Sequence, residues 1–157
     1  MQMNARINAF DAFKEVALDL YKKINKSAPF QTFNKLIAFV VNGSLACELG
    51  FKAILAEDYQ NLRGHKLEEL FNKLDPTVKA FIKENMPSMK NDEEGHKEFD
   101  CLLAKVSNNF VEWRYYYEND IEAYWLFLYE LICALDKYFI GDNYLDYLES
   151  LLKKENK

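Results

Sequence analysis

Apolar side chains recur at steps of three and four residues along most of the chain, which is the spacing of amphipathic helices. The runs predict helices over residues 4–23, 34–58, 65–74, 76–85, 95–117, 121–140 and 144–153. The fifth run is either one helix or two helices joined near Asn108–Asn109. Ser27–Pro29 and Arg63–Gly64 predict breaks, and Met86–Glu94 predicts an exposed loop. The pattern therefore predicts an all-α protein, a helical bundle of about five to seven helices.

Polar residues predict where two of these helices begin. Asp75 precedes Pro76, so that Asp is placed as the N-cap and Pro at the first helical position, where its missing N–H costs nothing. Asn119–Asp120 has the composition of a cap for the helix over residues 121–140.

Two features predict how the helices pack. The run 121–140 is apolar nearly all round, which is typical of a helix at the centre of a core or of a dimer interface. Charged residues, Glu130 among them, interrupt it and favour a buried helix over a membrane span. Gly43 and Ser44 lie mid-helix, where glycine costs about 1 kcal/mol relative to alanine, and would let a neighbouring helix approach closely.

The length of 157 residues fits one domain, with a bundle core over about residues 5–140 and a C-terminal helix over about 143–154. Only five Gly and three Pro are present, which disfavours a sandwich or barrel full of turns. Aromatic residues make up 15% of the chain, and because they are enriched at interface cores, we expect self-association.

Charge and cysteine usage narrow the class of protein further. The net charge of −5 disfavours tight nonspecific nucleic-acid binding, which needs Lys and Arg to neutralise phosphates, although a local basic cleft stays open. The first residues contain no apolar signal-peptide core, and the three cysteines form no CxxC pair. These features predict a cytoplasmic protein without a membrane partner.

Three segments, in order, resemble one known family. Glu48 and Lys52, in ACELGFKAILAED, are similar to the E-x-x-x-K of the second long helix of the HEPN family. The G-H-x-L that opens the family's next short helix resembles Gly64–Leu67, and its arginine motif resembles Phe110–Asp120, FVEWRYYYEND. The resemblance covers about residues 5–140 and implies an antiparallel helical bundle that pairs into a homodimer, in prokaryotic defence or toxin–antitoxin settings.

Active members of the family are metal-independent ribonucleases with an R-x4-6-H signature, in which arginine and histidine converge on an RNA phosphate. The arginine maps to Arg114, but the histidine positions hold Asn119, Asp120 and Ile121. None of these is a proton donor and acceptor near neutral pH, and an aspartate with an ordinary pKa of about 3.9 is a poor acid there. The resemblance therefore implies the fold without the usual catalytic pair.

Three functions remain open from the sequence. The favoured one is a non-catalytic dimeric module that binds RNA, a nucleotide or a cognate protein. The second is a divergent ribonuclease in which Arg114 stabilises charge and Asn119 or Asp120 orients the attacking hydroxyl. The third is a structural or regulatory interaction domain that uses the aromatic helix around Trp125.

Arg114 is the centre of the candidate ligand site. Tyr115, Tyr116 and Tyr117 would shape the cleft by stacking, with Glu48 and Lys52 organising its floor. The alternative is a structural ion pair of Arg114, with Glu118 one turn on or with Glu48.

Other polar residues have structural interpretations. His65, at a helix start, is expected to hydrogen-bond nearby backbone, and His96 is expected on the surface. No metal or cofactor is predicted, because His96 and Cys101 match no zinc spacing and the glycines are scattered. Cys47 and Cys133 lie in apolar segments, where thiols are usually inert.

Overall fold

A computed structural model describes residues 2–24, 29–55, 62–112 and 124–141 of the chain. These ranges form seven helices and contain no strand, which confirms the all-α helical bundle. The helices are α1 (Gln2–Ile24), α2 (Pro29–Leu55), α3 (Leu67–Asn72), α4 (Pro76–Glu84), α5 (Glu93–Val106), α6 (Asn109–Glu112) and α7 (Trp125–Ile140).

The two long N-terminal helices run antiparallel along their full length. The Arg6 guanidinium, near the start of α1, donates to the backbone oxygen of Lys52, near the end of α2, at 3.3 Å. At the other end, the ring centroids of Tyr21 and Phe39 lie 5.4 Å apart. This pairing buries part of the apolar face of each helix.

Helix α7 runs antiparallel to α1. Phe10 lies 5.0 Å from Phe139 and Tyr21 stacks on Tyr129 at 3.9 Å, both measured between ring centroids. Eight residues of α7 are buried, which agrees with the prediction from its apolar sequence that it is central to the core.

Glycines on α2 let α7 approach closely, as the sequence predicts for Gly43. A Cβ at Gly43 would lie 3.0 Å from Ile132 Cδ1 and 3.2 Å from Leu128 Cδ2, and one at Gly50 would lie 3.1 Å from Leu135 Cδ1. The order of these contacts means that α2 and α7 run in the same direction.

A chain of aromatic rings joins the shorter helices to this core. The ring centroid of Phe71, in α3, lies 5.9 Å from that of Phe51 and 5.1 Å from that of Phe99. Phe99, in α5, continues to Phe127, in α7, at 5.3 Å. Edge contacts of this kind add to the burial of apolar area that drives folding.

Two sequence predictions need correction. Helix α2 begins at Pro29, five residues before the predicted start, because proline is tolerated in the first turn of a helix and does not have to end the previous one. Most of residues 87–92 are exposed and outside the helices as predicted, but Met86, at the start of that predicted loop, belongs to the buried core.

In the second half of the chain, the structure shows where α4, α5 and α6 begin. Asp75 caps α4 as predicted, accepting the backbone N–H of Thr77 at 2.9 Å. Helix α5 begins at Glu93 with Asp92 as its N-cap, and α6 follows as a separate helix after a break at Ser107 and Asn108. The cap at Asn119–Asp120, the end of the second predicted helix at 56–58 and the helix at 144–153 lie outside the described residues.

The segment Asn34–Leu55 is long and apolar enough to cross a membrane by length and composition alone, but 56% of its most apolar window is buried inside the bundle. A core helix passes the same test.

Candidate functional site

The first component of the candidate site is a carboxylate in the bundle core. Glu48, on α2, is only 3% exposed, and its Oε1 atom accepts a hydrogen bond from Lys52 Nζ at 2.7 Å. The two residues are four apart with the acid first, which places them on one face of the helix in the favourable order. The predicted pair of Glu48 and Lys52 therefore forms within α2.

His65 brings the second predicted segment to the same carboxylate. Gly64, with a φ of +97°, turns the chain just before it, a conformation that favours glycine. His65 Nδ1 then lies 2.9 Å from Glu48 Oε1. Because a carboxylate only accepts, Nδ1 carries the proton. The sequence did not predict this side-chain partner for His65.

The start of α3 is held by a residue that sequence reasoning missed. Lys66, at the N-cap position, provides no side-chain cap. Ser107 takes that place: its backbone oxygen accepts from Leu67 N at 3.2 Å and its hydroxyl from Glu68 N at 3.0 Å. His65 lies two residues before the start of α3, so Ser107 also helps to fix the point from which His65 reaches Glu48.

Four polar side-chain atoms on α2 and α6 are buried without a hydrogen-bond partner among the described residues. They are Glu48 Oε2, Ser44 Oγ, and both side-chain polar atoms of Asn109. Ser44 and Glu48 are one turn apart on α2, and α6, which begins with Asn109, packs against α2. We call these three side chains the polar seam. An unsatisfied buried polar group costs about 1–3 kcal/mol, so such a seam needs a chemical explanation.

The chain leads from the polar seam into the predicted ligand site. Helix α6 ends at Glu112, and Arg114 follows two residues later. Arg114 and the residues predicted to act with it lie outside the described residues: Tyr115, Tyr116, Tyr117, Glu118, Asn119, Asp120 and Ile121. The roles assigned to them stay predictions.

The cysteine and histidine residues considered from the sequence as reactive or metal-binding groups show no such role in the described structure. Burial raises the pKa of the Cys47 thiol far above its ordinary value, so this thiol is a poor nucleophile. His96 bonds to Asn91 Oδ1 at 3.0 Å on the surface. Within the described ranges, no group of three or more His, Cys, Asp or Glu side chains could hold a metal ion.

The described cluster can act as an acceptor site. A buried carboxylate with one oxygen held by Lys52 and His65 and the other without a described partner is suited to receive a charged donor, and a guanidinium does so with good geometry. Comparisons with protein-family models, curated proteins and solved structures found no match to this chain.

Proposed function

We propose that this chain is a non-catalytic, HEPN-like homodimeric module that binds the phosphate of an RNA or nucleotide at a site centred on Arg114. The observation that carries the proposal is the buried Glu48 carboxylate, whose Oε2 has no hydrogen-bond partner among the described residues. In this proposal Glu48 Oε2 receives the Arg114 guanidinium and orients it. The rest of the guanidinium faces the ligand.

Charge supports an anionic ligand. Glu48 is already paired with the Lys52 ammonium at 2.7 Å, so its negative charge is compensated before Arg114 is added. Adding Arg114 leaves the cluster with a net positive charge inside a chain whose net charge is −5. A local positive charge with fixed donors is the arrangement that binds phosphate, and neighbouring tyrosines supply stacking surfaces for bases.

The absence of a histidine at residues 119–121 is the reason for proposing binding without cleavage. General acid–base catalysis near neutral pH needs a group that titrates there. His65 is bound to the cluster through its Nδ1, so the test below includes a variant of this histidine.

The test is fluorescence anisotropy of a labelled single-stranded RNA and of labelled ATP, in excess chelator. The variants are wild type, Arg114→Ala, His65→Ala and, as a matched control, Arg63→Ala, which removes an exposed arginine of the described region. Gel electrophoresis of the RNA after incubation detects cleavage. We expect Arg114→Ala to weaken binding at least about tenfold, the size of a lost charged phosphate contact, and Arg63→Ala to change it little. Light scattering of the same samples should give a dimer.

Three outcomes would contradict the proposal. Equal binding by wild type and Arg114→Ala would remove Arg114 from the site. No binding of either probe by a folded dimer would point to a protein partner. Cleavage that disappears in both Arg114→Ala and His65→Ala would show a ribonuclease in which His65 supplies the acid–base group.

A further inference from the structure

A cavity of about 360 Å³ lies beside the start of α7, and none of its lining residues belongs to the Glu48 cluster. Three aromatic residues, Tyr124, Trp125 and Phe127, contribute to its wall, together with the acids Glu98 and Glu130. Its volume lies in the range of small-molecule sites, which are mostly apolar with a few fixed polar groups. No Lys, Arg or His is among the described residues that line it.

Glu130 is the fixed polar group of this cavity. It lies on the apolar helix α7, is only 6% exposed, and is held from one side by Ser88. The Ser88 hydroxyl donates to Glu130 Oε1 at 2.5 Å, and the Ser88 backbone N–H lies 3.2 Å from both carboxylate oxygens. These bonds fix the orientation of the carboxylate.

Glu130 differs from Glu48 in its surroundings within the described part of the chain. No Lys, Arg or His of the described ranges forms an ion pair with it. Lys137 lines a second cavity to which Glu130 also contributes, but its ammonium donates to Asn85 Oδ1 at 2.6 Å. Carboxylates are almost never buried unless they are paired, because burial without a counter-charge is costly.

We propose that this cavity binds a small organic cation, a primary ammonium on an apolar or aromatic body. The ammonium pairs with Glu130, and the apolar body packs against Trp125 and Phe127. Aromatic rings near the ammonium also favour a cation over a neutral group. Tyr124 already shows this behaviour, since the Lys105 ammonium lies 4.9 Å from its ring centroid. Exposed Glu98 adds a second negative charge to the lining, which attracts cations and disfavours anionic ligands.

The experiment is calorimetric titration of the full chain with three probes that share a phenylethyl group: 2-phenylethylamine, the neutral 2-phenylethanol and the anionic 3-phenylpropionate. Hexylamine and agmatine extend the panel to other bodies. We expect the amine to bind at least about tenfold more tightly than the alcohol, the size of a charge-assisted hydrogen bond, and the acid not to bind.

Glu130→Gln is the decisive variant, because it keeps the shape of the side chain and an oxygen acceptor for Ser88 while it removes the charge. It should abolish the preference for amine over alcohol. Glu94→Gln, an exposed acid outside the cavity lining, should leave that preference unchanged.

The proposal does not depend on the variant folding, since the comparison of amine with alcohol uses the wild-type protein. It is overturned if wild type binds none of the amines, if it binds the alcohol as tightly as the amine, or if Glu130→Gln retains the full preference.

Discussion

Ser107 caps helix α3 from 39 residues further along the chain, its hydroxyl accepting the backbone N–H of Glu68 at 3.0 Å. The same residue accepts from Leu67 through its backbone oxygen. The junction between α5 and α6 therefore fixes where α3 begins, and with it the position of His65 beside Glu48.

Ser107→Ala tests this connection. Loss of a capping hydroxyl costs about 0.5–2 kcal/mol of the free energy of unfolding, and we expect a loss in that range from urea denaturation. The imidazole NMR signals of His65 should shift as well, because the start of α3 is released. Asp75→Ala, which removes the α4 cap, should lower stability by a similar amount and leave the His65 signals in place. Unchanged His65 signals in Ser107→Ala would mean that the Ser107 cap does not determine the position of His65.

Glu48→Ala should destabilise the fold by about 1–3 kcal/mol, since it leaves the mostly buried Lys52 ammonium without its acceptor. Glu48→Gln retains an oxygen for Lys52, and we expect a smaller loss from it. Glu93→Gln is the control: it breaks a pair with Lys97 on the surface and should change the unfolding free energy by less than about 0.5 kcal/mol. Equal effects of Glu48→Ala and Glu93→Gln would mean that the cluster adds nothing to stability.

Gly43→Leu tests the close approach of α2 and α7. Its Cβ alone would lie 3.0 Å from Ile132 Cδ1, so the longer side chain overpacks the interface, and we expect a loss of about 1–3 kcal/mol by thermal or urea unfolding. Ala80→Leu, a similar enlargement of a small residue on the exposed face of α4, should be close to neutral. If Gly43→Leu is as stable as wild type, α7 does not pack on this part of α2.

The three cysteines should react with a thiol reagent in a fixed order. Cys101 is exposed, Cys133 is half-buried and Cys47 is buried. We expect Cys101 to react quickly, Cys133 more slowly, and Cys47 only when the protein unfolds, as followed by mass spectrometry of labelled peptides. Labelling of Cys47 at the rate of Cys101 in the native protein would contradict its burial.

The fold should become less stable as the pH rises above about 9, the ordinary pKa of a thiol. Burial raises the pKa of Cys47 and of Cys133, so the folded chain keeps these two protons to a higher pH than the unfolded chain does. The unfolded state then binds fewer protons, and stability falls with increasing pH.

The measurement is urea unfolding at about pH 8 and about pH 10. Cys47→Ala should lose part of the pH dependence, although it is less stable at both values. The upper pH is kept below 10.5, the ordinary pKa of lysine, because above that value the titration of Lys14 adds to the pH dependence of stability. Burial lowers the pKa of Lys14, but its bonds to Asp136 and Asp11 raise it overall, so its stabilisation is lost only as the pH rises past that value. An identical slope in Cys47→Ala would assign the effect to other groups.

The helices were largely predictable because their signals are local. Apolar spacing located α1 and α7, and Asp75–Pro76 located the start of α4 to the residue. The start of α2 was missed because proline fits the first turn of a helix as well as a break, so the local sequence did not decide between them.

The candidate site was predictable only where both partners lie on one helix. Glu48 and Lys52 are four residues apart, and their ion pair follows from helix geometry. The contacts of Ser107 with α3 and of Ser88 with Glu130 join residues 39 and 42 apart, and no local pattern specifies them. The sequence contained one indication of a role for Glu130, namely that it is an acidic residue in the middle of an apolar helix.

The parallel packing of α7 on α2 also has a consequence for the order in which the chain is synthesised. The surface of α2 around Gly43 and Gly50 is complete long before its cover, α7, has been translated. The α1–α2 hairpin therefore leaves the ribosome with one apolar side still facing water. During that interval it is open to association with other chains, and a chaperone that shields this side would act on the nascent protein until α7 emerges.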